Sequence, residues 1–326
     1  MRRLMGELDA IDPGLHEAYR LCRELNRRHG KTYFLATRVF PASKRAGVHA
    51  LYGFARMVDD IVDVKPVDAA PVLDALERRL TDALGGRPPT YDEFGLVLRA
   101  LVDTTQRYDI PHEYYYAFLR SMRMDIPGTE LFRSRYRTMD ELSEYMYGSA
   151  AVIGLQMLPI LGTETERERA EAPAAALGEA FQLTNFIRDM GEDLDRDRIY
   201  LPTDTLAAFD VDEDLLWHCR RTGQRDVRLE RALAHLIAHT RSIYRVAEPG
   251  IDLLDPEVRP AMRTAFVLYG DILRAVEESG YRVLHQRARV SRRRRLSVAA
   301  PQLASAGWTT LRTRSRLGVV TAPQDR

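Results

Sequence analysis

The sequence predicts an all-α protein, folded as one helical domain. Three observations predict it. Apolar residues recur three and four positions apart in nearly every long segment, the period of an amphipathic helix. Alternating β-branched runs joined by Asn-Gly or Asp-Gly turns are scarce, so strands have no signal. Across the 326 residues, no Gly/Ser-rich linker, shift of composition or internal repeat marks a second domain.

Taken in order, an N-terminal extension over 1–13 leads into predicted helices over 14–29 and 43–64, which Pro41 separates and Pro66 closes. A helix over 69–84 ends at the Gly85-Gly86-Arg87-Pro88-Pro89 run, and helices over 91–107 and 111–124 end before Pro127-Gly128. Helices over 138–159 and 165–195 precede Pro202, those over 212–222 and 226–247 precede Pro249-Gly250, and the last covers 256–288. Proline lacks the amide donor that a helix interior needs, and glycine favours the turn that ends one, so these breaks delimit the elements. The helical domain is expected over 14–299. Over 300–326, from Ala300 through PQLASAGWTT onward, the helical period is lost and the chain reads as a mobile tail.

Composition excludes several classes of function. Hydrophobic residues make up 45% and charged residues 29%, a globular balance, and 48 Lys+Arg against 47 Asp+Glu leave a net charge of +1. That charge gives no reason to expect nucleic acid as a partner. The two cysteines, Cys22 and Cys219, have neither CxxC spacing nor a His/Cys cluster, so they read as small core residues in a reducing, cytoplasmic setting. The start, MRRLMGELDAIDPG, carries acids and a proline where an export signal needs an apolar run. The longest apolar stretch, Ala150 to Leu161, is interrupted by Gln156 and Pro159 and falls short of the ~20 residues of a membrane span. Arg287, Arg289 and the run Arg292 to Arg295 fit a peripheral contact with anionic lipid at the inner face of a membrane; they fit a solvated basic helix end equally well.

Two acidic constellations carry the chemistry. In the first, Asp59 and Asp63 stand four apart on one helix face, and steps of three and four lead back to Arg56 and Tyr52. The flanks are apolar and the segment over 49–63 supplies no lysine to neutralise the acids before Lys65, which is the pattern of a polar site inside a bundle. Asp60 points about 100° away from Asp59. In the second, Asn185, Asp189 and Asp193 form another stripe at four-residue steps, with Gln182 a turn back and Arg188 alongside. Oxygen donors without His or Cys select Mg²⁺, or Mn²⁺, and Mg²⁺ favours a few carboxylates plus phosphate oxygens. The implied ligand is a diphosphate, with Arg56 and Arg188 taking its remaining charge by forked hydrogen bonds. Diphosphate on an allylic chain is a leaving group whose departure creates a carbocation. Such a cation needs a dry cavity and aromatic faces, for which Tyr33, Phe34, Tyr145 and Tyr147 are candidates.

The motifs HGKTYFLATRVFP (29–41), ALYGFARMVDDIVD (50–63), YMYGSAAVIGLQMLPILG (145–162) and FQLTNFIRDMGEDLDRDRIYLP (181–202) resemble those of the squalene/phytoene synthase family. The resemblance extends over nearly the whole chain to the arginine run, and the wording is most similar to the bacterial phytoene-forming members. It implies the helical isoprenoid (class I terpenoid) synthase fold, with Asp59, Asp63, Asn185, Asp189 and Asp193 holding Mg²⁺ against two prenyl diphosphates. It also implies that Tyr52, Arg56, Gln182, Arg188, Tyr269 and Arg287 contact the diphosphates and that Tyr145 lies near the reacting carbons. The implied reaction joins two geranylgeranyl diphosphates head to head through a cyclopropyl diphosphate, and proton loss then gives phytoene, the first step of carotenoid biosynthesis. Hydride donation by a nicotinamide would give a squalene-type product instead; no GxGxxG follows a predicted strand, which bears only weakly on that choice because the family does not use such a module. One departure is plain: Ser149-Ala150-Ala151 stands where many relatives have Val-Ala-Gly, and the larger Ala151 bears on the chain length accepted.

Other features carry less. His235 and His239 are four apart, but Leu236 replaces the Glu of HExxH, and Gly85-Gly86 lacks the Lys-Ser/Thr of a phosphate loop. Rival readings of the acidic stripes are a squalene or dehydrosqualene synthase using farnesyl diphosphate, a cyclising terpene synthase or head-to-tail elongase, and a non-catalytic helical assembly protein.

Overall fold

The computed structural model describes residues 6–29, 34, 37–64 and 69–298. Tyr33, Pro66 and the tail over 300–326 lie outside the described residues. The main α-helices of the described fold, in chain order, are α1 His16–His29, α2 Ala42–Val64, α3 Ala69–Leu84, α4 Glu93–Tyr108, α5 Glu113–Arg123, α6 Met139–Met146, α7 Val152–Leu161, α8 Glu168–Asp195, α9 Thr203–Ala207, α10 Glu213–Thr222, α11 Val227–Ala247 and α12 Arg259–Glu278. Among the described residues, strand pairing is limited to two isolated bridges, Arg135 with Ile199 and Thr163 with Leu254. No described helix is long and apolar enough to cross a membrane.

The helix starts follow their caps. Asp92 accepts from the Gly95 amide at 2.7 Å, Asp212 from the Leu215 amide at 2.8 Å and Thr138 from the Glu141 amide at 3.2 Å, so α4, α10 and α6 begin immediately after a side chain that satisfies a free first-turn donor. Two expectations need correction. The segment read as one helix over 138–159 is α6, a π turn over Tyr147–Ala151, and α7, which continues through Pro159 to Leu161. The helix expected to reach 288 stops at Glu278, because Gly280 (φ 68°) and Tyr281 (φ 58°) take left-handed conformations one after the other and turn the chain out of the helix. Arg287 is therefore a loop residue. The arginine run opens a short helical stretch over 292–298.

α8 is the central helix, packed against α11, α7, the π turn and α12, while α2 packs against α1, α4, α5 and α7. α7 thus joins the two halves, and between α2 and α8 lies a cavity of about 680 Å³. The core around it is apolar and continuous, from Phe54 and Val58 on α2 to Leu183 and Ile187 on α8. Cys22 and Cys219 are both buried and free.

Candidate active site

One edge of each apolar helix carries oxygens into the cavity. On α2 the cavity-facing residues run Val48, Leu51, Tyr52, Ala55, Asp59, Val62 and Asp63, steps of three and four that become acidic only toward the C-terminal end. On α8 the corresponding face carries Leu177, Phe181, Gln182, Asn185, Arg188, Asp189 and Asp193. At 1.5 Å per residue, the stretch of α2 from Val48 to Asp63 makes the wall roughly 22 Å deep. The two stripes meet at its polar mouth, where Arg196 Nη1, just beyond α8, stands 4.0 Å from Asp63 Oδ2 on α2.

The two acidic pairs are electrostatically frustrated. Burial and the neighbouring Asp63 push Asp59 up to about 7, and burial and the neighbouring Asp189 do the same to Asp193. Asn185 Oδ1 is buried with no hydrogen-bond partner among the described residues. Acids crowded in pairs and an orphaned amide oxygen facing one cavity suit a hard divalent cation. Among the described residues, no three His, Cys, Asp or Glu side chains form a ready-made cage.

Other expected site residues divide into those at the cavity and those behind it. Tyr52, Gln182, Arg188 and Arg287 line it. Arg287 comes from the loop after α12, which lies so close to α8 that a Cβ on Gly191 would meet the Leu284 carbonyl oxygen at 2.7 Å. Arg220 holds that same carbonyl and also pairs with Asp195. Arg56 does not line the cavity; its Nη2 donates to Asp60, although its charge still opposes the upward shift of Asp59. Tyr269 is buried behind the wall with its ring stacked on that of cavity-lining Phe181, centroids 4.1 Å apart.

The aromatic candidates fare unevenly. Tyr145 is buried and lines the cavity. Tyr147 is 49% exposed and lies outside it, since residues two apart on a helix diverge by about 200°. Phe34 stacks on His49 at 5.8 Å instead of facing the cavity.

Sequence reasoning missed a buried network beside Tyr145. Asp125, only 5% exposed, accepts from Tyr145 Oη at 2.6 Å and Tyr200 Oη at 2.8 Å; Arg198 Nη2 donates to its main-chain oxygen at 2.8 Å. Burial raises the Asp125 carboxyl above the usual range, while Arg198 and the two hydroxyls pull it back. Tyr145 and Tyr200 are raised in turn by burial and the Asp125 charge, so both hydroxyls keep their protons. The rings of Tyr200 and Phe186 stack at 4.2 Å, with Tyr136 and Tyr145 packed around them. This is an electron-rich, water-poor wall next to the acidic mouth.

Comparison with known proteins agrees with this geometry. The squalene/phytoene synthase family model matches residues 26–294. A phytoene synthase from Arthrospira platensis is 36% identical over 289 residues, 84% of this chain and 88% of the relative. A 15-cis-phytoene synthase from Synechocystis sp. is 35% identical over 289 residues, covering 85% and 81%. Among solved structures, a dehydrosqualene synthase in complex with ligand matches with a TM-score of 0.80 at 27% identity, covering 91% of this chain and all of that one. The fold also matches that of squalene synthase HpnC from Alicyclobacillus acidocaldarius, with a TM-score of 0.75 at 24% identity over 84% of this chain and 98% of the other. With the family model spanning most of the chain and its four motifs lining or flanking one cavity, this protein belongs to the squalene/phytoene synthase family.

Proposed function

We propose that the protein is a magnesium-dependent prenyltransferase that joins two geranylgeranyl diphosphates head to head to form phytoene, with loss of two diphosphates. The observation that carries this reading is that two acidic stripes on different helices open onto one largely apolar cavity. Asp59 and Asp63 on one side, with Asn185, Asp189 and Asp193 on the other, are the residues that would hold Mg²⁺, and Mn²⁺ suits the same donors. When bound, the ion neutralises charge developing on the departing diphosphate.

The chain's own residues supply the rest. Arg188 and Arg287 offer forked donors to phosphate oxygens, Gln182 and Tyr52 flank them, and Leu51, Val48 and Leu177 exclude water from the prenyl chains. Tyr145 donates its hydroxyl hydrogen bond to Asp125, so its lone pairs and ring face stay available to a carbocation. The reaction runs through a cyclopropyl diphosphate, a second ionisation and loss of a proton. Tyr269 and Arg56 support the site from behind, through Phe181 and through the charge felt at Asp59.

A second reading, a C30 product from farnesyl diphosphate, is favoured by the likeness to the dehydrosqualene synthase structure. Incubation with each diphosphate and Mg²⁺, followed by extraction, separates the readings. A C40 triene from the C20 substrate is expected; a C30 product alone, or a cyclised C20 hydrocarbon, overturns the first reading.

We also propose that this cytoplasmic enzyme meets the inner face of the membrane through the ridge of Arg289, Arg292, Arg293 and Arg295 beside exposed Leu296. Arg294 is not part of it, because Asp271 takes its Nε at 2.7 Å. Co-sedimentation with anionic vesicles at low salt and release at high salt is expected; binding to neutral vesicles as strongly overturns the electrostatic contact.

A further inference from the structure

The two acidic stripes differ in what already neutralises them. On α8 both oxygens of Asp189 are occupied: Arg188 donates from Nε at 2.7 Å and Nη2 at 2.5 Å, and Arg287 pairs from Nε and Nη2, each at 2.8 Å. On α2 the nearest arginine in sequence, Arg56, is turned to Asp60, and Asp63 meets Arg196 at a distant 4.0 Å.

This asymmetry has a consequence for how charge can enter the site. A lone divalent ion reaching Asp189 must displace guanidinium groups that gain nothing in exchange. A metal-bound diphosphate brings the ion for the carboxylate and phosphate oxygens for the guanidiniums together. Asp59 and Asp63 pose no such barrier. Arg287 is the natural group to move, since its side chain is 41% exposed and sits on a loop, whereas Arg188 is 15% exposed and fixed on α8.

We propose that Arg287 is an exchange partner: it holds Asp189 in the free protein and transfers its grip to the incoming diphosphate. The α8 stripe then accepts magnesium only together with diphosphate, while the α2 stripe accepts the ion alone. This rests on the diphosphate reading above and adds an order of assembly to it.

Titration calorimetry with MgCl₂ alone and with magnesium pyrophosphate tests the exchange, alongside Mn²⁺ binding followed by electron paramagnetic resonance. In Arg287→Gln, a second site for the ion alone is expected to appear at the α8 stripe, strengthened there about three- to five-fold, the scale of one part-exposed ion pair, while the α2 site is unchanged. Magnesium pyrophosphate is expected to weaken about ten-fold or more. Arg287→Lys, which keeps the charge without the fork, should lie between. In the otherwise native protein, Asp59→Asn should remove binding of the ion alone and Asp189→Asn should leave it in place. An Arg287→Gln protein in which both probes weaken, or in which no second ion-alone site appears, overturns the exchange, as does loss of ion-alone binding in Asp189→Asn. Wild-type protein that fails to bind magnesium pyrophosphate overturns the diphosphate reading itself.

Discussion

Asp59 and Asp193 are acids that the folded, metal-free protein would keep protonated near neutrality, and this makes stability depend on pH in a definite direction. Their carboxyls are raised to about 7, against an ordinary value near 4 in the unfolded chain. Between about pH 4 and 7 the folded state holds protons that the unfolded state has lost, so stability is full below that window and falls as pH rises through it. The expected slope is at most about 1.4 kcal/mol per pH unit for each carboxylate. Denaturant titrations in the presence of a chelator should show the fall, and Asp59→Asn or Asp193→Asn should flatten it. For turnover, Asp59→Ala or Asp189→Ala is expected to cost at least about 10³-fold, since each removes an oxygen facing the leaving group. Asp60→Ala, which takes away only the Arg56 partner, should cost far less. These acids are legible in the sequence because a four-residue step fixes their shared face. Asp125 is not. It lies in the turn after α5, and its meaning comes from Tyr145 and Tyr200, 20 and 75 residues away. Asp125→Asn leaves two buried tyrosine hydroxyls competing for one good acceptor. We expect a loss of about 1–3 kcal/mol in stability together with a clear fall in kcat, checked by thermal unfolding and product formation.

The helices themselves were readable, since α2 to α5, α10 and α11 follow the apolar period and end where proline or glycine forbids continuation. What the period missed is where a helix departs from its own regularity. The π turn over Tyr147–Ala151 replaces uniform winding between α6 and α7, and four small residues, Gly148 to Ala151, let it lie against its neighbours. Ser149 and Ala150 within it and Ile153 just after it line the cavity. A periodic reading cannot see this. Nor can it see that the chain leaves α12 at Glu278 and returns over α8 to deliver Arg287. That return is held at Gly191, which gives the loop an inexpensive test. Gly191→Ala places a methyl against the Leu284 carbonyl, closer than side chains approach backbone oxygen, so the loop must lift and Arg287 with it. The expected result is a rise of roughly ten-fold in KM for the prenyl diphosphate, with α-helical circular dichroism unchanged. An unaltered KM would mean that the loop carries no binding energy.

The whole molecule is two helical halves that converge on shared charge. α2, with α1, α4 and α5, supplies one acidic stripe; α8, with α11 and α12, supplies the other, and α7 packs on both. Without ligand the mouth between them holds four acids, two of them raised to about 7, with Arg188 and Arg287 paired to Asp189 and Arg196 approaching Asp63. A ligand that carries both metal and phosphate relieves the repulsion on each side and ties the halves to one another. It binds only the folded state, because the unfolded chain does not bring α2 and α8 together. Linkage then fixes the size of the effect: free ligand at about 100 times its Kd adds roughly 2.7 kcal/mol to the stability of a one-site protein. For a domain of this length, about 2 °C of Tm accompanies each kcal/mol, so magnesium pyrophosphate should raise Tm by about 5 °C. Pyrophosphate with chelator should do little, because phosphate without metal adds negative charge to a mouth already acidic. MgCl₂ alone should fall between, since it reaches one stripe and leaves the halves untied. If both components raised Tm by the same amount separately as together, the two stripes would be acting as independent surface sites, not as two sides of one active site.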